Sequence, residues 1–230
     1  MKGNSIMGIN KTKKIILKRR ILFRNHIIGV DEVGRGPLAG RVFVGAVLFP
    51  KNPKNIFKKT NAPAKLSDSK KLSLKQRKEW FNWIKKNNIS FAIAASSSSI
   101  IDKINVSKAC NLAAQKAIEK IIKKNKLREI SVIADAGIKI NKTFQIKSFK
   151  SFPKADEKIP AVSLASIVAK ILRDREMEKL HKKYPKYGFD SHKGYGTRRH
   201  IKAIKKYGPS PIHRLTFISE YHNIKLGIKN

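Results

Sequence analysis

Short apolar runs alternate with segments of helical period along the first part of the chain, and helical patterns alone fill the rest. The β-branched and aliphatic run at residues 27–30 predicts a strand, and residues 42–48 predict a second. Pro50, Pro53 and Pro63 stand among many Lys and Asn, so residues 50–65 read as a surface loop. "SLKQRKEWFNWIKK" opens on Ser73, with Gln76 in capping-box spacing and Trp80, Phe81 and Ile84 at helical intervals. "ISFAIAAS" predicts a third strand, residues 105–124 a helix, "EISVIAD" a fourth strand ending on Asp135, and "TFQIKSF" a fifth. Residues 160–182 predict a long helix, with Val162, Ala165, Ala169 and Leu172 along one face; residues 197–207 predict another, stopped by Gly208 and Pro209. Strands first and helices last give an α/β expectation: a central mixed sheet flanked by helices, with a helical C-terminal region in the same domain.

Charge sharpens this picture. Lys and Arg number 52 against 15 Asp and Glu, a net charge of +37, and a field of that sign favours a polyanion such as nucleic acid. Heavy Lys usage is also a compositional habit, so charge alone does not establish the partner. The single cysteine, Cys110, lies in a helical pattern beside Ala109 and Ala113, and reads as a small core residue in a reducing compartment. Residues 1–25 are almost all basic or polar and read as a lead-in arm; no signal-peptide pattern or bilayer-length apolar run is present.

The scarce acids carry the chemistry. Most fall in polar helical runs, but Asp31 and Glu32 close one apolar strand, Asp135 closes another, and Asp156 precedes the long helix. Carboxylates at strand ends of an α/β sheet lie where ligands bind. Several converging there call for hard divalent cations, Mg²⁺ or Mn²⁺, and two such ions suit phosphodiester hydrolysis. Adjacent strand residues point to opposite faces, so Asp31 and Glu32 share a site only if the strand ends or bends at Gly34 and Gly36. For Asp156 alone, an N-cap or an ion pair is the simpler reading. "GRG", residues 34–36, is either an ordinary turn or a close backbone approach to a sugar-phosphate, with Arg35 as a bidentate phosphate donor. The Gly-Lys-Ser/Thr ending of a P-loop is absent.

"GVDEVGRGPLAG" (29–40) resembles the signature of ribonuclease HII. "LSDSKKLS" (66–73), "KADEKIPAVSLASIVAKILRDREM" (154–177), "YPKYGFDSHKGYGT" (184–197) and "YGPSPIHRLTF" (207–217) resemble that family's further blocks, in order. The resemblance implies an RNase H-like fold over residues 26–218, between the arm and a short tail at 219–230. It implies an endoribonuclease that hydrolyses the RNA strand of RNA–DNA hybrids and nicks 5′ of single ribonucleotides in duplex DNA, with Mn²⁺ or Mg²⁺, leaving a 3′-hydroxyl and a 5′-phosphate. Asp31, Glu32, Asp135 and Asp156 match its catalytic, metal-binding carboxylates, and Asp174 is expected to be ion-paired and structural. Gly34, Arg35 and Gly36 match the element whose backbone reads the 2′-hydroxyl, and Tyr195 matches the tyrosine that packs on the neighbouring deoxyribose. His192, Lys193, His213 and Arg214 are candidate phosphate contacts. Arg41 and Ala136 depart from the usual Pro and Gly. A cytoplasmic monomer without membrane contact is expected. A non-catalytic basic RNA-binding protein would explain the charge but not the placed acids, and a transposase core would not explain residues 34–36 and Tyr195.

Overall fold

The computed structural model describes residues 25–221, apart from 64, 65, 67, 68, 70 and 142. All but the last residue of the expected arm at 1–25 therefore lies outside the described residues, as do residues 222–230 of the expected tail. Five strands form one sheet: β1 (His26–Val33), β2 (Val42–Pro50), β3 (Phe91–Ser96), β4 (Ile130–Asp135) and β5 (Ile146–Phe152), in the order β3-β2-β1-β4-β5. β1, β2 and β3 pair antiparallel as a meander, whereas β4 and β5 run parallel to β1, so the sheet is mixed as expected.

The two faces of the sheet bury separate apolar layers. Ile28 and Val30 of β1, with Val42, Val44, Ala46 and Leu48 of β2, pack against α4 (Val106–Asn125) through Cys110, Ala113, Ala117 and Ile121. Ile27, Val47 and Phe49 face the other way, against α6 (Pro160–Lys183) and α2 (Leu74–Lys86). Alternation at period two assigns each strand residue to its layer. α6 lies against the sheet almost backbone to backbone. A Cβ on Gly29 would fall 2.2 Å from the Ala161 carbonyl carbon, and one on Gly45 2.4 Å from the Ala165 oxygen. Only glycine fits at these two crossings, and they set how near α6 stands to the strand ends.

Several boundaries differ from those read off the sequence. Both reciprocal capping-box bonds of Ser73 and Gln76 are present at the start of α2. The loop at 50–65 contains a short helix, α1 (Lys54–Lys59), whose Ile56 and Phe57 pack against the Trp80 and Trp83 layer. The helix expected from 105 is preceded by α3 (Ser98–Ile104), the two separated at Asn105, whose φ of 65° breaks the ladder and whose side chain caps α4 at Lys108. β5 begins three residues later than "TFQIKSF". The C-terminal region comprises α5 (Ala155–Lys158), α6, a 3-10 turn (Pro185–Tyr187), α7 (Phe189–His192), α8 (Arg198–Tyr207) and α9 (Leu215–Ile218). Among the described residues no helix is long and apolar enough to cross a membrane.

Candidate active site

The carboxyl ends of β1 and β4 bring Asp31, Glu32 and Asp135 within electrostatic reach of one another. Val30 pairs with Ala134 in the parallel register, so Asp31 and Asp135 are the next residues on neighbouring strands. Strands lie roughly 4.8 Å apart, and residues in register share a face. Asp31 shares the face of Ile27 and Gly29, against α6. Its carboxylate accepts from the Ser166 hydroxyl and from the Glu32 N–H at 2.8 Å. Burial, then the nearby Glu32 charge, and further Asp135, push the Asp31 carboxyl well above its usual range, while the Ser166 and Glu32 hydrogen bonds oppose that.

β1 does not bend at the acid pair. Asp31 sits opposite Gly45 and Glu32 opposite Val44, in unbroken register through Val33. Glu32 therefore projects on the α4 side, and its charge still reaches Asp31 and Asp135. Burial raises the Glu32 carboxyl, the Arg35 guanidinium opposes that, and the Asp135 charge adds to it. Asp135 Oδ1 accepts from the Ala155 N–H at 2.9 Å, which places the start of α5 on the cluster. Asp156, the next residue, is buried, and its backbone carbonyl accepts from the Ser163 hydroxyl at the start of α6. The N-cap reading of Asp156 does not hold: Lys154 is the cap residue of α5, and Asp156 lies inside its first turn.

Among the described residues no three His, Cys, Asp or Glu side chains stand close enough together to hold an ion in this structure. The strand ends offer an open, oxygen-only donor set, with Glu32 Oε2 buried and lacking a hydrogen-bond partner. Such donors fit a hard divalent cation that keeps waters or substrate oxygens among its ligands.

Beyond β1 the chain turns through Gly34, Arg35 and Gly36. The Arg35 guanidinium contacts Glu32 Oε1 at 3.3 Å and donates to Ser107 Oγ at 2.9 Å, so here it is engaged inside the cleft wall. A Cβ on Gly36 would stand 3.9 Å from Tyr195 Cε1, which brings Tyr195, 45% exposed, onto the same element from a distant loop. The Leu38 N–H donates to the Gly194 carbonyl at 2.8 Å and fastens the two loops together.

Of the candidate phosphate contacts, two are buried. Arg214 is fully buried and donates to the carbonyls of Gly34, Arg35 and Gly40. His213 is buried and forms a chain of fixed polarity. The Ser210 N–H donates to His213 Nδ1 at 2.8 Å, so the proton is on Nε2, which donates to His200 Nε2 at 3.0 Å. His200 Nδ1 then donates to the Tyr195 carbonyl at 2.9 Å. Burial, above all, lowers both imidazoles to about 4, which keeps the chain neutral. Lys193 Nζ is held by Glu178 and by the Asp190 carbonyl, and His192 stacks on His200. Asp174 pairs with Lys170 at 2.8 Å, and Cys110 is buried with its thiol pushed up to about 12, chiefly by burial. Arg41 pairs with Glu176 at 2.6 Å.

Three residues of the site, Ser69, Ser166 and Arg173, escaped the sequence reading, and Arg214 was read there in another role. Ser69 and Ser166, both buried, stand 2.6 Å apart behind Asp31. Arg173 and Arg214, neither paired with an acid among the described residues, hold the two loops by their carbonyls. "LSDSKKLS" and "IHRLTF" marked their segments, but not their roles.

The sequence profile of the family described as Ribonuclease HII matches residues 28–220. A ribonuclease HII of Coxiella burnetii is 42% identical over 191 residues, 83% of this chain and 87% of the relative. That of Caldicellulosiruptor bescii is 42% identical over 193 residues, 84% of this chain and 86% of the relative. The crystal structure of the ribonuclease H2 from Pyrococcus horikoshii superposes with a TM-score of 0.60 at 28% identity, covering 83% of this chain and 93% of that one.

Proposed function

The chain belongs to the ribonuclease HII family and is a nuclease, and we propose that it hydrolyses the RNA strand of RNA–DNA hybrids and nicks duplex DNA 5′ of a lone ribonucleotide. The observation that carries this reading is the meeting of two sets of residues at one strand end. Asp31, Glu32 and Asp135 lie within electrostatic reach of one another, and Gly36 with Tyr195 stands directly beyond them. The first set suits phosphodiester hydrolysis. The second suits discrimination of a ribose from a deoxyribose, because the 2′-hydroxyl is the one group separating RNA from DNA at a given site.

Asp31, Glu32, Asp135 and Asp156 would hold the metal, two Mg²⁺ or Mn²⁺ ions. When bound, such ions lower the pKa of water and neutralise charge on the leaving oxygen. The remaining work belongs to this chain. Ser166 orients the Asp31 carboxylate, the α5 N-terminus orients Asp135 through the Ala155 N–H, and Arg35 sits where a phosphate can draw it from Glu32. Backbone groups of Gly34, Arg35 and Gly36 contact the 2′-hydroxyl, and the Tyr195 ring packs on the next deoxyribose, where a second hydroxyl would crowd it. Water then attacks phosphorus in line and the 3′-oxygen leaves, giving a 3′-hydroxyl and a 5′-phosphate. Residues 26–218 would form the catalytic domain, acting as a cytoplasmic monomer.

A DNA duplex carrying one ribonucleotide, labelled at its 5′ end, tests this with Mg²⁺, with Mn²⁺ and with chelator. The expected product is a nick immediately 5′ of the ribonucleotide, formed only with metal. Cleavage elsewhere, or in chelator, contradicts the reading.

A further inference from the structure

Arg214 is 0% exposed and has no carboxylate within ion-pairing distance among the described residues. Its guanidinium is instead distributed over carbonyls 174 to 180 positions away in sequence. Nη2 donates to Gly34 O at 2.6 Å and Gly40 O at 2.9 Å, Nη1 to Arg35 O at 2.7 Å, and Nε to Gly40 O at 3.0 Å. A planar fork can serve these acceptors together, whereas an ammonium, with three donors on one atom, cannot span them. Burying a guanidinium is costly unless its donors are satisfied, so this arrangement is a specific one.

The consequence lies in peptide geometry. In a trans peptide the C=O and the following N–H point in opposite directions. Gly34 and Arg35 carbonyls drawn inward to Arg214 therefore turn the N–H groups of Arg35 and Gly36 away from it. Neither N–H meets a backbone acceptor among the described residues. Gly36 is exposed and Arg35 half-buried, which leaves this turn open to a ligand. Arg173, also fully buried, extends the same device: it donates to Ala39 O, Arg41 O and Lys193 O, tying this loop to the one that carries Tyr195.

We propose that Arg214 is a positioning residue for ribonucleotide recognition: by anchoring the Gly34 and Arg35 carbonyls, it presents the Arg35 and Gly36 N–H groups to the 2′-hydroxyl. This rests on the reading of residues 34–36 as the ribose contact. Arg214 itself touches no substrate.

Binding in chelator, where no cleavage occurs, isolates recognition from chemistry. Two fluorescent duplexes differ only in one ribonucleotide. The wild-type chain is expected to prefer the ribonucleotide duplex, and Arg214→Lys to lower that preference about tenfold, the loss of roughly one well-made hydrogen bond. Affinity for the all-DNA duplex should stay unchanged, which a general folding defect would not allow. If wild type shows no preference, the ribose-contact reading fails and takes the proposal with it. If wild type prefers the ribonucleotide and folded Arg214→Lys keeps the full preference, the proposal alone is overturned. Should Arg214→Lys not fold, the wild-type chain supplies the answer by amide NMR. Arg35 and Gly36 resonances should shift on adding the ribonucleotide duplex and not the all-DNA duplex; equal or absent shifts overturn the proposal.

Discussion

Ser69 Oγ and Ser166 Oγ lie 2.6 Å apart in a buried pocket behind Asp31. With Asp31 ionised, its carboxylate only accepts, so the Ser166 proton goes to Asp31 and Ser69 must donate to Ser166. Ser69 thereby orients the central acid at second hand. Ser166→Ala removes a hydrogen bond to a charged group, and we expect kcat to fall about tenfold or more, since such bonds contribute roughly 1.5–3 kcal/mol. KM should change little, because Ser166 does not face the nucleic acid. Ser69→Ala should have the same sign and a smaller effect. Steady-state kinetics on an RNA–DNA hybrid checks both.

Gly45 permits the contact between β2 and α6 that brings Ser166 to Asp31. A methyl group there meets the Ala165 backbone, which has no side-chain freedom with which to yield. Gly45→Ala should destabilise the chain by roughly 1–3 kcal/mol, the usual cost of overpacking, and lower activity further by moving α6 from the strand end. Urea unfolding measures the first effect and hybrid cleavage the second.

The neutral histidine chain makes stability depend on pH. His200 and His213 are lowered from 6.5 to about 4, so between those values the unfolded chain binds protons that the folded chain does not. Stability therefore rises with pH across this window and is lost as pH falls from about 6.5 toward 4. The raised Asp31 carboxyl has the opposite sign, since there the folded state holds the extra proton. Melting temperatures of wild type and His213→Gln from pH 4 to 7 separate the two. The variant should show a shallower acid dependence, and parallel curves would remove the histidine contribution.

Tyr195 is held by its backbone and left free at its ring. Its carbonyl accepts from His200, and the residue is 45% exposed with its ring beside Gly36. Tyr195→Ala should therefore fold normally and bind nucleic acid nearly as well, while cleavage at a single ribonucleotide falls by more than cleavage within a long hybrid. Equal losses on both substrates would remove the junction role.

What was legible in the sequence was local. The Ser73–Gln76 capping box, the strand that ends on Asp135 and the long helix after Pro160 each depend on neighbours a few residues away, and each is present. α1 was not legible, because Lys and Asn outnumber its two packed apolar residues, Ile56 and Phe57. β5 was displaced because only Ile146 on this edge strand is fully buried, which leaves no clean alternation to read. Asp31 and Glu32 were recognisable as a pair, but not how an unbent strand lets both reach one cluster. The roles of Ser166 and Arg214 depend on partners 97 and 180 residues distant and leave no periodic trace. His213 and Arg214, read as phosphate contacts, are buried supports of the loops that flank the acids.

Asp31→Asn tests the central claim most directly, assayed on one labelled duplex with a single ribonucleotide for both cleavage with Mn²⁺ or Mg²⁺ and binding in chelator. The substitution keeps the size of the side chain and removes the charge at the strand end. The account predicts that cleavage is abolished while binding stays near that of wild type. Cleavage at a wild-type rate by the folded variant would contradict it.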